Sequence, residues 1–462
     1  MEYVIGALLI LSFFGLAWYC VKGHNLMIGF LGITVLWAAL SLGGTYIVSP
    51  EFLADNPILQ INSEQPMIGI LNAVFQQASE GWGTTLVNVL WGAWFGRILM
   101  ETGIAATIIR KVVELGGDRP MITITLLNIA TAIIFTAMMG AGPVIAIGVI
   151  VLPILMSLGI PKAIAMFSFM ASVSAGMYLN PVLQFSQLRA FVVDANTMPN
   201  FSFSWYAQHF GYYAVIISVV VATALTGFFL HRGKRSHAWA AQVGGAGVRK
   251  NAPIYTLILP VVPVILKIGL DFSVIGGFVI SGILALALCG KLKDGFKASC
   301  QLINKLYYEG VVDTAPLVGF LLTLPMFNKV AAYASPYFKV ILGGFMPKSE
   351  LVVCIVFAVL TGLAFFRGPM TLFGCGAATL GVLSHVASFS VPFLFCVFSI
   401  PATTVNVGSC ITQSWIAWGL AYTKVESKEF LKLSIPFAYI TSVLLYVLTY
   451  FAVGGLGAEW FL

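Results

Sequence analysis

Apolar residues gather along this chain in twelve runs, at about 4–21, 26–48, 67–100, 121–159, 163–193, 208–230, 253–270, 272–290, 298–327, 349–386, 389–422 and 433–455. One helical crossing of a bilayer takes about 20 apolar residues, so the pattern predicts membrane-spanning helices. Several runs are too long for one crossing and too short for two. Gly, Pro and Asn interrupt these, which predicts helices broken at membrane depth.

Composition narrows the class. Of 462 residues, 59% are hydrophobic and 9% charged, against about 25% charged in a soluble domain. Mean hydropathy is +0.97. The length alone would allow two or three soluble domains, but so apolar a chain has no polar surface to show water. Disorder, a disulfide scaffold and a nucleic-acid binder are excluded with it. The net charge of +7 then reads as Lys and Arg held in cytoplasmic loops. The seven cysteines form no C-x-x-C and read as small hydrophobes. The five histidines show no ligand spacing. Glu2 stands where a basic signal region would, and no A-x-A follows, so residues 4–21 are expected to stay as the first helix.

Loop charge sets an expected orientation. The central loop has His231-Arg232-Gly233-Lys234-Arg235 and Arg249-Lys250 with no acid, and should be cytoplasmic. The loop at 50–66 holds Glu51, Asp55 and Glu64 with no base, and should be outside with the N-terminus. This arrangement also places Lys329, Lys339 and Lys348 outside.

An internal repeat decides the expected fold. Leu115-Gly116-Gly117-x-x-Pro120 recurs 227 residues later as Leu342-Gly343-Gly344-x-x-Pro347. Gly142-Pro143 recurs as Gly368-Pro369, and 37 residues after each proline stands an asparagine, Asn180 or Asn406. Gln184 and Gln413 follow, and Glu80-Gly81 is echoed by Glu309-Gly310. The expected division is 1–65 for the N-terminal helices and external loop, 66–231 for repeat 1, and 232–252 for the basic loop. Residues 253–292 are connecting helices and 293–462 repeat 2. One copy starts at an external loop and the other beside Lys291 and Lys297, so the copies are inverted, as in many secondary transporters. The expected fold is therefore an all-α polytopic membrane protein with two inverted repeats. It has about ten transmembrane helices, two re-entrant hairpins (121–159 and 349–386) and discontinuous helices at the site.

Irregular backbone is tolerated at membrane depth only where it is buried or lines a cavity. The matched breaks are therefore the candidate site: hairpin tips at Gly140–Pro143 and Arg367–Pro369, and helix breaks at Leu179–Pro181 and Pro401–Ser409. Candidate substrate contacts are Gly142, Pro143, Asn180, Gln184, Arg367, Gly368, Pro369, Asn406 and Gln413. Candidate cation-coupling residues are Glu80, Asp313, Thr403, Thr404 and Ser409. The alternatives are packing notches and interhelical hydrogen bonds. Arg367 could clamp a carboxylate bidentately, or form a structural pair with Asp313. Arg97 and Glu101, one turn apart, read as a local pair.

The stretch Gly96-Arg97-Ile98-Leu99-Met100-Glu101-Thr102-Gly103, the turn Gly116-Gly117-Asp118-Arg119-Pro120 and the run Val149–Leu155 resemble the gluconate permease family over about residues 90–160. The paired hairpins resemble the wider ion transporter superfamily, with its citrate and dicarboxylate carriers. The resemblance implies an anionic substrate, a co-transported cation (H+ or Na+) and an elevator-like movement.

The expected function is a secondary active transporter of a small organic anion, such as a sugar acid or carboxylate, in the cytoplasmic (inner) membrane. A channel or facilitator and a membrane-embedded enzyme are the alternatives; no H-E-x-x-H or G-x-S-x-G stands in the sequence. No resident cofactor, metal or nucleic-acid partner is expected. Segments 26–48, 67–100, 272–290 and 298–327, read as unbroken, are assigned to a scaffold that forms a homodimer.

Overall fold

The computed structural model describes residues 1–21, 24–61, 66–117, 119–182, 201–232, 251–342, 347–373 and 389–454, with positions 185, 188, 189, 376, 379, 380, 383 and 384 between them. The basic loop at 233–250, Glu64, Asp118, Gln184, Gly343-Gly344 and His385 lie outside the described residues.

The chain is an all-α polytopic membrane protein. Its principal helices are α1 (Glu2–Val21), α2 (Leu26–Gly43), α3 (Met67–Asn72), α4 (Gly83–Glu101), α5 (Ile104–Gly116), α6 (Pro120–Phe135), α7 (Ala141–Ser157) and α8 (Lys162–Met177). There follow α9 (Tyr212–Arg232), α10 (Val262–Leu270), α11 (Val274–Leu288), α12 (Phe296–Leu342), α13 (Glu350–Val359), α14 (Val391–Ile400), α15 (Ser414–Thr423) and α16 (Ser427–Ala452). Among the described residues, three helical stretches are by themselves long and apolar enough to cross a bilayer: Met27–Tyr46, Phe203–His231 and Ser427–Ala452. Several other apolar helices are shorter, among them Pro120–Phe135, Ala141–Ser157 and Lys162–Met177. Apolar side chains face outward along the long ones, including Ile216, Val220 and Phe228 on α9 and Val443, Val447 and Phe451 on α16. Water would not tolerate so extended an apolar surface, and lipid does.

Two groupings organise the bundle. In the first, α12 packs along α4, α2 and α1, and α11 packs on α4. Glycine sets the approach: a Cβ at Gly310 of α12 would lie 2.9 Å from the Trp94 backbone nitrogen of α4, so the two backbones nearly touch. In the second, α8 is the hub. Every residue from Ile164 to Met177 is buried, and α6, α7, α9, α15 and α16 surround it. Here Gly176 meets the Ala132 carbonyl of α6, and a Cβ at Gly176 would overlap that oxygen. The first hairpin, α6–α7, joins the groupings, because α7 also reaches α4 and α12.

Two expectations about continuity are corrected. The 67–100 run is not unbroken. It is helical from Met67 through a π-turn at Ala73–Gln77 to Glu80, turns at Gly81-Trp82, and restarts as α4. Conversely, 298–327 is part of one helix of 47 residues. Pro316, Pro325 and Pro336 stand inside it without ending it, because flanking helices hold it along its length.

The Gly176 contact is testable by thermal unfolding in detergent. Gly176→Ala should destabilise the protein by about 1–3 kcal/mol, the usual cost of overpacking. Gly32→Ala on α2, where a Cβ meets nothing within 4 Å, should not lower the melting temperature. Equal melting temperatures for the two variants would contradict the close α6–α8 approach.

Candidate functional site

The first helix break follows from Pro181, which has no N–H to continue the ladder. The chain leaves α8 at Met177 and turns through Tyr178-Leu179-Asn180. Asn180 takes over the pairing. Its Nδ2 donates to the Phe135 and Met138 carbonyls at 3.3 and 3.2 Å, and its Oδ1 accepts from the Val182 N–H at 3.0 Å. Those carbonyls belong to the end of α6 and the first hairpin tip, so Asn180 ties the tip to the break. The tip turns at Gly140, whose φ of +91° suits glycine alone among common residues. Helix α7 then starts at Ala141 with Pro143 in its first turn.

The second break lies further along than the sequence implies. Ser390 caps α14, its Oγ accepting from the Phe393 N–H at 3.4 Å. After Ile400 the backbone widens into a π-helical turn over Pro401–Val407. Proline at 401 removes a donor, and a π-turn is one way a helix absorbs that loss. The actual turn runs from Gly408 to Gln413 before α15. Ser409 Oγ donates to the Thr404 carbonyl at 3.1 Å within this segment.

The two breaks meet. The Tyr178 hydroxyl lies 2.6 Å from Thr404 Oγ1, and Gly408 lies against Ser174, leaving no room for a Cβ. The second hairpin tip is anchored beside them. A 3-10 segment, Leu360–Arg367, leads into it, and Phe366 adopts the left-handed conformation with φ +55°. A non-glycine residue there carries about 1–2 kcal/mol of strain. The Phe366 N–H donates to Cys410 Sγ at 3.1 Å, and Thr379 Oγ1 donates to the Pro369 carbonyl at 2.6 Å.

The charge at the first tip belongs to Arg97. Its Nε and Nη2 donate to the two oxygens of Asp313, each at 2.6 Å, and its Nη1 reaches Glu309 Oε2 at 3.4 Å. Lys305 Nζ lies 3.8 Å from Glu309 Oε1. Asp313 in turn fills the space that a side chain on Gly142 would take, and Pro143 packs 3.4 Å from the position of a Cβ on Gly96. The local Arg97–Glu101 pair expected from spacing is not formed. Glu101 bonds instead with Lys291 at 2.9 Å, because Arg97 points across to α12. Both Asp313 oxygens accept from Arg97, and the expected Arg367–Asp313 alternative falls on a side chain that the structure does not describe.

The predicted residues thus divide into separate places. Gly142, Pro143 and Asp313 form the first tip with Arg97. Asn180, Thr404, Asn406, Ser409 and buried Thr403 line the joined breaks, Gly368 and Pro369 form the second tip, and Gln413 opens α15. Glu80 stands apart and exposed, accepting from Gln76 Nε2. Its neighbour Ser79 bonds to the Leu322 carbonyl, nine residues and about 14 Å along α12 from Asp313. Asn406 is fully buried, and neither its Oδ1 nor its Nδ2 has a partner among the described residues; Thr371 Oγ1 is in the same position. Such groups are rare in native interiors and call for a ligand, an ion or water. Among the described residues no group of three metal-ligating side chains forms. Tyr178 and Cys410 escape the sequence reading, since a tyrosine and a cysteine in apolar runs carry no distinguishing pattern. The stripe Lys305, Glu309, Asp313 at four-residue spacing is a signal that could have found the charged face of α12.

The fold is similar to that of the YdaH transporter of Alcanivorax borkumensis. The match has a TM-score of 0.57, covers 95% of this chain and 99% of that one, and shows 14% sequence identity. The crystal structure of that transporter is described as revealing an unusual topology. At this identity the likeness is one of fold. No family model matches the sequence, the gluconate permeases included, and no curated protein matches it.

The union of the breaks can be measured by a double-mutant cycle on unfolding free energy. Tyr178→Phe and Thr404→Val should each cost about 1 kcal/mol, the net worth of a typical hydrogen bond. Together they should cost clearly less than the sum. Strict additivity would mean that the hydroxyl pair does not couple the two breaks.

Proposed function

We propose that this chain is a secondary active transporter of small organic anions, cation-coupled, in which the hairpin-bearing helices around α8 move against α4 and α12. The observation that carries the reading is the Tyr178–Thr404 contact: two interrupted helices from opposite halves of the chain meet, each with a hairpin tip bonded beside it. Broken helices related by an inverted repeat are where secondary transporters hold substrate and coupling ion. The fold shared with a transporter along nearly the whole chain supports the same reading. The preference for an anion rests on the arginine fork of Arg97 at the first tip, a geometry matched to carboxylates. The resemblance of residues 90–160 to gluconate permeases points to the same substrate class. Asn406 and Thr371, buried polar groups without partners, are proposed to contact substrate or the coupling cation once the second tip opens. A homodimer built on the α1, α2, α4 and α12 grouping would give the moving helices a fixed neighbour, and a two-fold arrangement is the commonest symmetric one.

The test is counterflow in proteoliposomes loaded with gluconate, succinate or citrate in turn. A carrier should show external label accumulating transiently against the preloaded anion, which a channel cannot produce. Arg97→Lys keeps the charge and loses the fork, and should raise the half-saturating anion concentration about tenfold or more. Arg367→Lys, measured alongside, assigns the clamp to the first or the second tip. Absence of counterflow for every organic anion tried would overturn the reading.

A further inference from the structure

The charged face between α4 and α12 holds an arrangement that goes beyond structural pairing. Arg97 offers a planar fork, and both of its fork bonds are taken by the Asp313 carboxylate at 2.6 Å. That carboxylate, on α12, lies against Gly142 in the first turn of the 17-residue α7, where no side chain intervenes. A guanidinium on one side and the start of a long helix on the other are the elements that recognise a carboxylate. Here the carboxylate they hold is the chain's own. The cluster is not sealed by protein: Arg97, Asp313 and Glu309 side chains keep 24%, 15% and 33% of their surface exposed.

The charges around it are few and balanced. Arg97 comes from α4, while Lys305, Glu309 and Asp313 come from one face of α12. Helices α2 and α7, packed against α12, have no titratable residue in Leu26–Gly43 or Ala141–Ser157. On α1 the one charged side chain, Glu2, is engaged by the Ser49 N–H and the N-terminus. Glu101, one turn from Arg97, is engaged by Lys291, and Glu80 belongs to the far segment beside Leu322. Two positive and two negative groups give the cluster no net charge.

We infer that Asp313 is a tethered occupant of the anion site, and that a substrate carboxylate enters by displacing it from the Arg97 fork. This rests on the transport reading above and gives that site its coupling ion. Displacement leaves Asp313 without its guanidinium partner and adds one negative charge to a neutral cluster. A proton from the aqueous side, bonded to an Asp313 oxygen, restores neutrality. Anion and proton therefore bind together, one for one. On release the anion leaves, Asp313 gives its proton back to water, and the carboxylate returns to Arg97. Linkage makes the effect reciprocal: protons strengthen anion binding, and the anion draws in a proton.

Binding of gluconate and succinate to the purified full chain, followed by thermal shift and calorimetry at pH 5.5 and 7.5, tests this. In the wild type the apparent affinity should rise by up to tenfold per unit fall in pH, and a pH indicator in weakly buffered solution should report about one proton taken up per anion bound. Asp313→Asn removes the competitor and the proton acceptor together. Its affinity for gluconate, which is ionised throughout this range, should match or exceed that of the wild type at pH 5.5, should not change with pH, and should involve no proton uptake. Adding Arg97→Gln should abolish binding in that background. An Asp313→Asn protein that loses anion binding, or keeps the wild-type pH dependence, overturns the inference. Should that variant not purify folded, the wild-type proton count decides: no proton uptake on anion binding overturns it. Wild-type binding of these anions with no proton linkage leaves anion transport standing and removes only the tethered-carboxylate scheme, whereas absence of any anion binding removes both.

Discussion

Inside hydrocarbon every backbone N–H and C=O must find a partner within the protein, and among the described residues this chain interrupts its helices repeatedly. The rest of the architecture is arranged around meeting that demand. Asn180 supplies side-chain pairing where Pro181 ends a ladder, reaching back to two carbonyls of the neighbouring hairpin. Cys410 accepts from the N–H freed at the left-handed Phe366. The breaks are gathered against α8, whose whole length from Ile164 to Met177 is shielded by other helices. Polar backbone is thereby kept from lipid, and the same gathering brings two distant parts of the sequence within a hydroxyl's reach of each other.

A second layer of organisation is electrostatic. Burying charge is costly unless it is paired, and three of the pairs among the described residues cross between segments distant in sequence. Arg97 reaches over to Asp313 and Glu309, and Lys291 to Glu101. Both contacts fasten the region around α4 to the half of the chain beyond the central loop. The first hairpin touches this charged face through Gly142, so the moving part proposed for transport and the part it slides on meet at a carboxylate.

Much of the fold could be read from the sequence, because the features that carry it are strongly periodic or strongly punctuated. Gly142-Pro143 stand in the first turn of α7, just after a turn at Gly140, Gly368-Pro369 follow the end of a 3-10 segment, and Pro181 follows the end of α8. What escaped was decided by tertiary contact. Helical spacing made Glu101 the natural partner for Arg97, and only the approach of α12, allowed by Gly310, offers a better one. Pro401 reads as a break, but the chain absorbs it as a π-turn and bends seven residues later, at Gly408. Gly81 gives no stronger signal than the glycines inside continuous helices, so the interruption before α4 was missed. Of the candidate site, the tip and break residues stand where the backbone is irregular. Glu80, chosen by symmetry with Glu309, stands at the Gly81-Trp82 interruption, with the neighbouring Gln76 as its partner.

The unbroken helix α12 has a consequence for how the protein sits in its membrane. Forty-seven residues at 1.5 Å each extend about 70 Å, more than twice the roughly 30 Å of hydrocarbon. Even at a tilt of about 40°, near the upper end for membrane helices, its projection on the bilayer normal is still about 54 Å. One or both ends must therefore stand well clear of the lipid, and Phe296, with 88% of its surface exposed, marks one of them.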